Sequence, residues 1–256
     1  MHWNGASWRV VPTPAFPATD LGSLQSVVAR SQTDAWAGGA TIGGGLLEHW
    51  NGGTWSTNTG APGSADLSAV ATVPHGTVWA VGSSFDPITG ATTTFSEHRV
   101  SGHWVRTPTP NPLDTQDEDV NELHSVTALS STNAWAVGMV GNEDAEIPYR
   151  PLILHWNGTA WHRVHAPSPD AGGDPLFAVL ARSAKDIWAV GYGGTTISTS
   201  TTHAVVEHWN GTTWTESSAG PSFFGSITEN PANGRLWAGA YINATDGVNS
   251  PVEAHS

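Results

Sequence analysis

Short alternations of apolar and polar residues run the length of the chain, and no 3.6-residue apolar period lasts long enough to build a helix. The first complete set shows the pattern: "LQSVVA" (24–29), "AWAGGA" (35–40), "LLEHW" (46–50) and "TWST" (54–57). Each run is short, rich in β-branched and aromatic side chains, and closed by a polar or Gly-containing break, which predicts strands. Call them A, B, C and D.

The set recurs. His-Trp-Asn-Gly stands at His2–Gly5, His49–Gly52, His155–Gly158 and His208–Gly211, with a degenerate copy from His98 to Gly102. In all five copies a tryptophan follows the histidine by six residues: Trp8, Trp55, Trp104, Trp161 and Trp214. "WAVG" or a variant begins at Trp36, Trp79, Trp135, Trp188 and Trp237, and Leu24, Leu67, Leu123 and Leu176 precede the first four by twelve residues. In the fifth unit Phe223 precedes by fourteen, the extra length lying in "NPANG". The Asn-Gly pair before each D strand predicts a two-residue hairpin, because both central positions of a type I′ turn need positive φ.

Four strands in every 40–50 residues is the signature of a β-propeller blade. His2 and His255 occupy matching places in the repeat, so the spacing predicts an all-β, five-bladed propeller in a single domain, 1–256. The blades are expected at 24–58, 67–107, 123–165, 176–217 and 223–255, with residues 7–11 supplying the last D strand and closing the ring. Small residues two after each A-strand leucine or Phe223 (Ser26, Ala69, Ser125, Ala178, Gly225) suit a crowded axis.

These motifs resemble the tandem propeller repeats of exported proteins from actinobacteria and other filamentous bacteria, where "WAVG" and "HWNGTxW" alternate. "SSTNAWAVG" (130–138) with "LILHWNGTAW" (152–161) carries the match, and it extends over essentially the whole chain. The resemblance implies the fold and export to the cell surface or beyond. "HWNGTTW" (208–214) is also similar to a motif of bacterial propeller lectins that bind sugars between blades.

Charge narrows the partners. The net charge is −13, from 22 acidic residues against nine lysines and arginines. That balance disfavours nucleic acid, whose phosphates need a basic face, and anionic membrane surfaces. There is no cysteine, hence no disulfide or thiolate site, and no apolar run approaches the roughly 18 residues of a membrane span. A monomer without a tightly bound cofactor is expected.

The repeated tryptophans read as core, and the repeated histidine as a structural hydrogen-bonder beside Glu48, Glu97 or Glu207. Function is then expected in what varies. From each "WAVG" tryptophan to the next C-strand histidine takes 13, 19, 20, 20 and 18 residues, so length varies in the B–C and D–A connections, which share one face. There Ser83, Met139, Tyr192 and Tyr241, four after successive tryptophans, are candidate ligand contacts, the two tyrosines as an aromatic platform. Asp114, Asp117, Asp119 and Glu122 in "LDTQDEDVNE" are candidate calcium ligands, although their spacing fits no standard calcium loop. Asp66, Glu122 and Asp174 lie just before A-strand leucines, where a propeller glycosidase would carry its acid and base. Counted from the leucine onward, no acid is expected inside an A strand. The expectation is a non-enzymatic module that binds a protein or glycan through the variable face, ahead of a propeller lectin and of a glycoside hydrolase.

Overall fold

The computed structural model describes residues 1–15, 22–58, 60, 65–73, 76–113, 119–142, 147–168, 173–194, 203–219, 223–241 and 252–255. The side chains of 147, 148, 218, 219, 241 and 252–255 lie outside that description. Among the described residues every regular element is a strand. A short hairpin, β1 (His2–Trp3) and β2 (Trp8–Arg9), comes first. Four-stranded antiparallel sheets follow: β3 (Ser23–Ser31), β4 (Asp34–Thr41), β5 (Gly44–Trp50) and β6 (Trp55–Asn58); then β7 (Ala65–Thr72), β8 (Val78–Phe85), β9 (Thr92–Val100) and β10 (His103–Arg106). The third holds β11 (Asp119–Ser130), β12 (Asn133–Asn142), β13 (Ile147–Trp156) and β14 (Trp161–Val164), and the fourth β15 (Leu176–Ser183), β16 (Asp186–Gly193), β17 (His203–Trp209) and β18 (Trp214–Ala219). The last has three strands, β19 (Phe223–Glu229), β20 (Leu236–Tyr241) and β21 (Val252–His255). One parallel pair, Val120 with Thr92, joins the second and third sets into a single eight-stranded sheet, and the sets pack in chain order through their first strands, a β-propeller arrangement.

The sheets are held together by tryptophan. Each B-strand indole from the first three sheets lies under the C–D hairpin of the next sheet. Trp79 meets Trp156 and Trp161 at 5.1 and 5.0 Å between ring centres, and Trp135 meets Trp209 and Trp214 at 5.3 and 5.6 Å. Trp36 meets Trp104 at 5.4 Å, and in the degenerate copy the Arg99 guanidinium, 5.0 Å from the Trp36 ring, replaces the second indole. Nearer the axis the small residues link neighbours: the Val70 and Val179 amides donate to Ser26 Oγ and Ser125 Oγ on the preceding sheet.

Three details differ from the sequence expectation. The Asn-Gly connections are four residues long, because Asn51 Oδ1 accepts the amides of Gly53 and Thr54, and Asn157 and Asn210 do the same. A side-chain acceptor satisfies the turn, and only its glycine needs positive φ. The two-residue turn with both φ positive occurs in the degenerate copy, at Ser101 (48°) and Gly102 (87°). The histidines ignore the adjacent glutamates, since neighbours along a strand face opposite ways. His49, His155 and His208 instead stack on their B-strand tryptophans and bond Asp34, Asn133 and Asp186 through Nε2. In the last sheet Phe224, not Phe223, takes the leucine place: it pairs with Ala240 as Leu24 pairs with Gly39, and it is buried.

The first sheet keeps an uncovered face. β2 pairs with β1 and not with β21. Leu24 and Val27 are 45% and 67% exposed, whereas their counterparts Leu67 and Val70 are 1% and 6% exposed. A cleft of about 370 Å³ remains there, between the N-terminal segment and the first sheet, with Trp55 in its wall.

Glu48 and Glu207, by contrast, are fully buried, and neither oxygen of either carboxyl has a hydrogen-bond partner among the described residues. Burial, with Glu216 and then Asp174 nearby, pushes Glu207 up to about 8, and burial alone raises Glu48. Burial lowers His98, and burial with His162 lowers His155.

Two outcomes are expected. Trp135 is 3% exposed and touches three rings of its own and the next sheet, so Trp135→Ala costs about 3–5 kcal/mol in denaturant titration. A carboxyl raised in the folded state contributes stability that is fully present below its ordinary 4.5 and lost as pH rises through about 8. Stability therefore falls from pH 5 to pH 9, by at most about 1.4 kcal/mol per unit from this group. Glu207→Gln should raise the thermal midpoint at pH 9 and leave it unchanged at pH 5. The lowered histidines act oppositely, withdrawing stability as pH falls below their ordinary range.

Candidate functional site

The A strands share one irregularity. Pairing with the B strand shifts register between Leu24 and Ser26, Leu67 and Ala69, Leu123 and Ser125, Leu176 and Ala178, and Phe224 and Ser226. One residue per sheet is thus a β-bulge with no ladder partner: Gln25, Ser68, His124, Phe177 and Gly225. All five line a single axial cavity of about 450 Å³, together with Ser23, Ala40, Asp66 and Leu67. Bulges of this kind re-aim side chains at rims and sites. The glycine of "WAVG" makes room for them. A Cβ at Gly39, Gly82, Gly138 or Gly191 would strike the carbonyl oxygen of Ser23, Asp66, Glu122 or Pro175, the A-strand residue just before the leucine.

Two candidate sets from the sequence prove to be cross-strand partners. Asp66 pairs with Ser83, and Glu122 with Met139. Ser23 pairs with Ala40, Phe223 with Tyr241, and the Tyr192 amide donates to Pro175 O. Of these residues Ser23, Ala40 and Asp66 line the axial cavity, and the other pairs sit at the same end of the A and B strands. The character of this mouth changes around the ring, polar and acidic on the first three sheets and aromatic on the last two.

His124 joins the two halves. Its Nδ1 lies 2.8 Å from Leu176 O and its Nε2 3.2 Å from Glu122 Oε2, and its ring stacks on Phe177 at 4.7 Å and 9°. Phe177 continues into Tyr192 at 5.7 Å, and Phe223 lies 4.9 Å from both. Burial in this stack raises the Tyr192 hydroxyl.

Other candidates separate from the mouth. Asp174 is fully buried between the third and fourth sheets, where its Oδ2 accepts from Ser168 Oγ, itself 3.0 Å from Arg150 Nη1. It does not join Asp66 and Glu122. Asp119 is 2% exposed, and its Oδ1 accepts from Asn142 Nδ2 at 2.7 Å. Asp114 and Asp117 lie outside the described residues, as does the Tyr241 side chain. Among the described residues no three acidic or histidine side chains converge to form a cage for a metal ion. Sequence reasoning missed His124, Phe177, Gln25 and Ser68. Their signal was there: one residue after the repeated leucine, the side chain changes in every unit.

No known protein-family pattern matches the chain, and no curated protein is similar to it. Solved structures are similar in fold. A protein of unknown function from Dyadobacter fermentans DSM 18053 superposes with a TM-score of 0.61 at 11% identity, over 96% of this chain and 81% of its own. A chain of the mitotic checkpoint complex gives 0.56 at 12%, over 99% and 73%. YCF48 bound to D1 peptide gives 0.48 at 14%, over 93% and 70%. At these identities the likeness is one of fold, and this chain is an all-β protein of β-propeller type.

Proposed function

We propose that the chain is a non-enzymatic, exported binding module that takes a protein or glycan ligand at the mouth of its axial cavity. One observation carries the reading. The scaffold repeats from sheet to sheet, yet the five bulged residues aimed at the axis are all different. A rigid repeated frame with one varied, ladder-free position per sheet suits selective recognition. The spaces between sheets are filled by tryptophan, which argues against a lectin with like pockets between blades. The burial of Asp174 elsewhere leaves Asp66 and Glu122 without their third acid, and Glu122 already bonds His124, which favours binding over glycoside hydrolysis.

The test is a glycan array and a peptide array run beside a reducing-sugar assay. Phe177→Ala, at the centre of the aromatic stack, should weaken the retained ligand by about tenfold, roughly 1.4 kcal/mol. Release of reducing sugar that disappears in Asp66→Ala or Glu122→Ala would replace this reading with catalysis.

We further propose a five-bladed ring closed by residues 7–11 on the free edge of β21. The support is a matching pair of gaps. Among the described residues no indole from another sheet reaches Trp188, while Trp3 and Trp8 sit 48% and 65% exposed at the spacing of the hairpin pairs that cover Trp79 and Trp135. Docking them on Trp188 would complete the last blade, and Trp237 would then meet Trp55. Deleting residues 1–11 should lower the thermal midpoint sharply and promote aggregation. A truncated protein that melts unchanged as a monomer rules closure out.

A further inference from the structure

We infer that the axial mouth receives a cationic side chain, an arginine or lysine presented by a protein segment; this rests on the mouth being the ligand site proposed above. The inventory of donors and acceptors carries it. Among the described residues no lysine or arginine lines the cavity. The imidazole in the lining, His124, has both ring nitrogens against oxygens, Leu176 O and Glu122 Oε2, so no N–H is left for a ligand. Asp66 stands exposed at the rim with no partner among the described residues, and Ser23, Ser68 and Gln25 complete the polar wall. The Asp66 carboxylate only accepts and is negative, so a phosphate, uronate or acidic peptide would meet repulsion here, whereas a guanidinium or ammonium supplies the positive charge the wall lacks.

Charge points the same way. The chain carries 22 acidic residues against nine lysines and arginines, a net charge of −13. The A–B turns on the side opposite the mouth carry Lys185 and Arg235. A field of one sign over a concave opening steers the opposite charge toward it. A neutral glycan gains nothing from that field, which is why a basic protein segment is the favoured partner.

The experiment is calorimetric titration of the full chain with a blocked Gly-Arg-Gly-Arg-Gly peptide, its uncharged citrulline counterpart, and a neutral oligosaccharide series. The variants are Asp66→Asn at the mouth and Glu229→Gln on the opposite face. Each alters the net charge of −13 by one, so the long-range field is nearly equal in both. The arginine peptide should bind, weaken as salt is added, and lose about tenfold in affinity in Asp66→Asn but less than about twofold in Glu229→Gln. The citrulline peptide should fail. Equal binding of the two peptides, or equal losses in the two variants, overturns the inference. An oligosaccharide bound at the mouth and lost in Phe177→Ala, with no peptide binding, also overturns it and leaves the binding-module reading standing. Absence of all binding removes both.

Discussion

An indole that must be covered by the next sheet is the constraint on which the architecture depends. A single four-stranded sheet in this chain has two apolar faces and cannot bury either alone. Trp36, Trp79 and Trp135 each find their cover on the C–D hairpin of the following repeat, so every sheet needs a successor. The requirement is for a flat, cation-tolerant cap rather than for tryptophan as such, because Arg99 serves where the repeat has lost its second indole. The same requirement explains why the first sheet looks unfinished: Leu24 and Val27 occupy positions that are sealed in the second sheet.

Much of this was legible in the linear pattern. Strand length, order and the core role of the tryptophans follow from period-two alternation and a fixed repeat. The errors share a cause, which is that a local choice was decided by a group the pattern does not display. Asn51 looked like the first residue of a tight turn, but its side-chain oxygen captures the amides ahead of it and lengthens the loop. His49 is the structural hydrogen-bonder that the repeat suggested, but its partner is Asp34, and the pleat turns the neighbouring Glu48 to the other face and buries it. Phe223 looked like the fifth leucine, but adjacent phenylalanines cannot be phased without knowing that Ala240 opposes Phe224.

The candidate site was half legible for a related reason. Asp66, Glu122, Ser83, Met139 and Tyr192 were visible as positions just before or after repeated landmarks; pairing joins Asp66 to Ser83 and Glu122 to Met139, and Asp66 lines the cavity. His124 and Phe177 were not, because a bulge breaks the alternation that would have assigned them a face. Asp174 misled because sequence proximity to Leu176 does not fix direction. Its chain segment turns inward toward Glu207, and the carboxyl is spent between sheets.

The bulges have one more consequence. A residue that takes no part in the ladder and little part in the core is exempt from both of the rules that hold this fold together. Glutamine, serine, histidine, phenylalanine and glycine all occupy that place in one chain without disturbing the pairing on either side. The axial mouth is in effect a five-letter word written in positions that the frame does not proofread. Related chains can therefore diverge in what they recognise while remaining indistinguishable in how they melt, and likeness of scaffold among them says little about likeness of ligand.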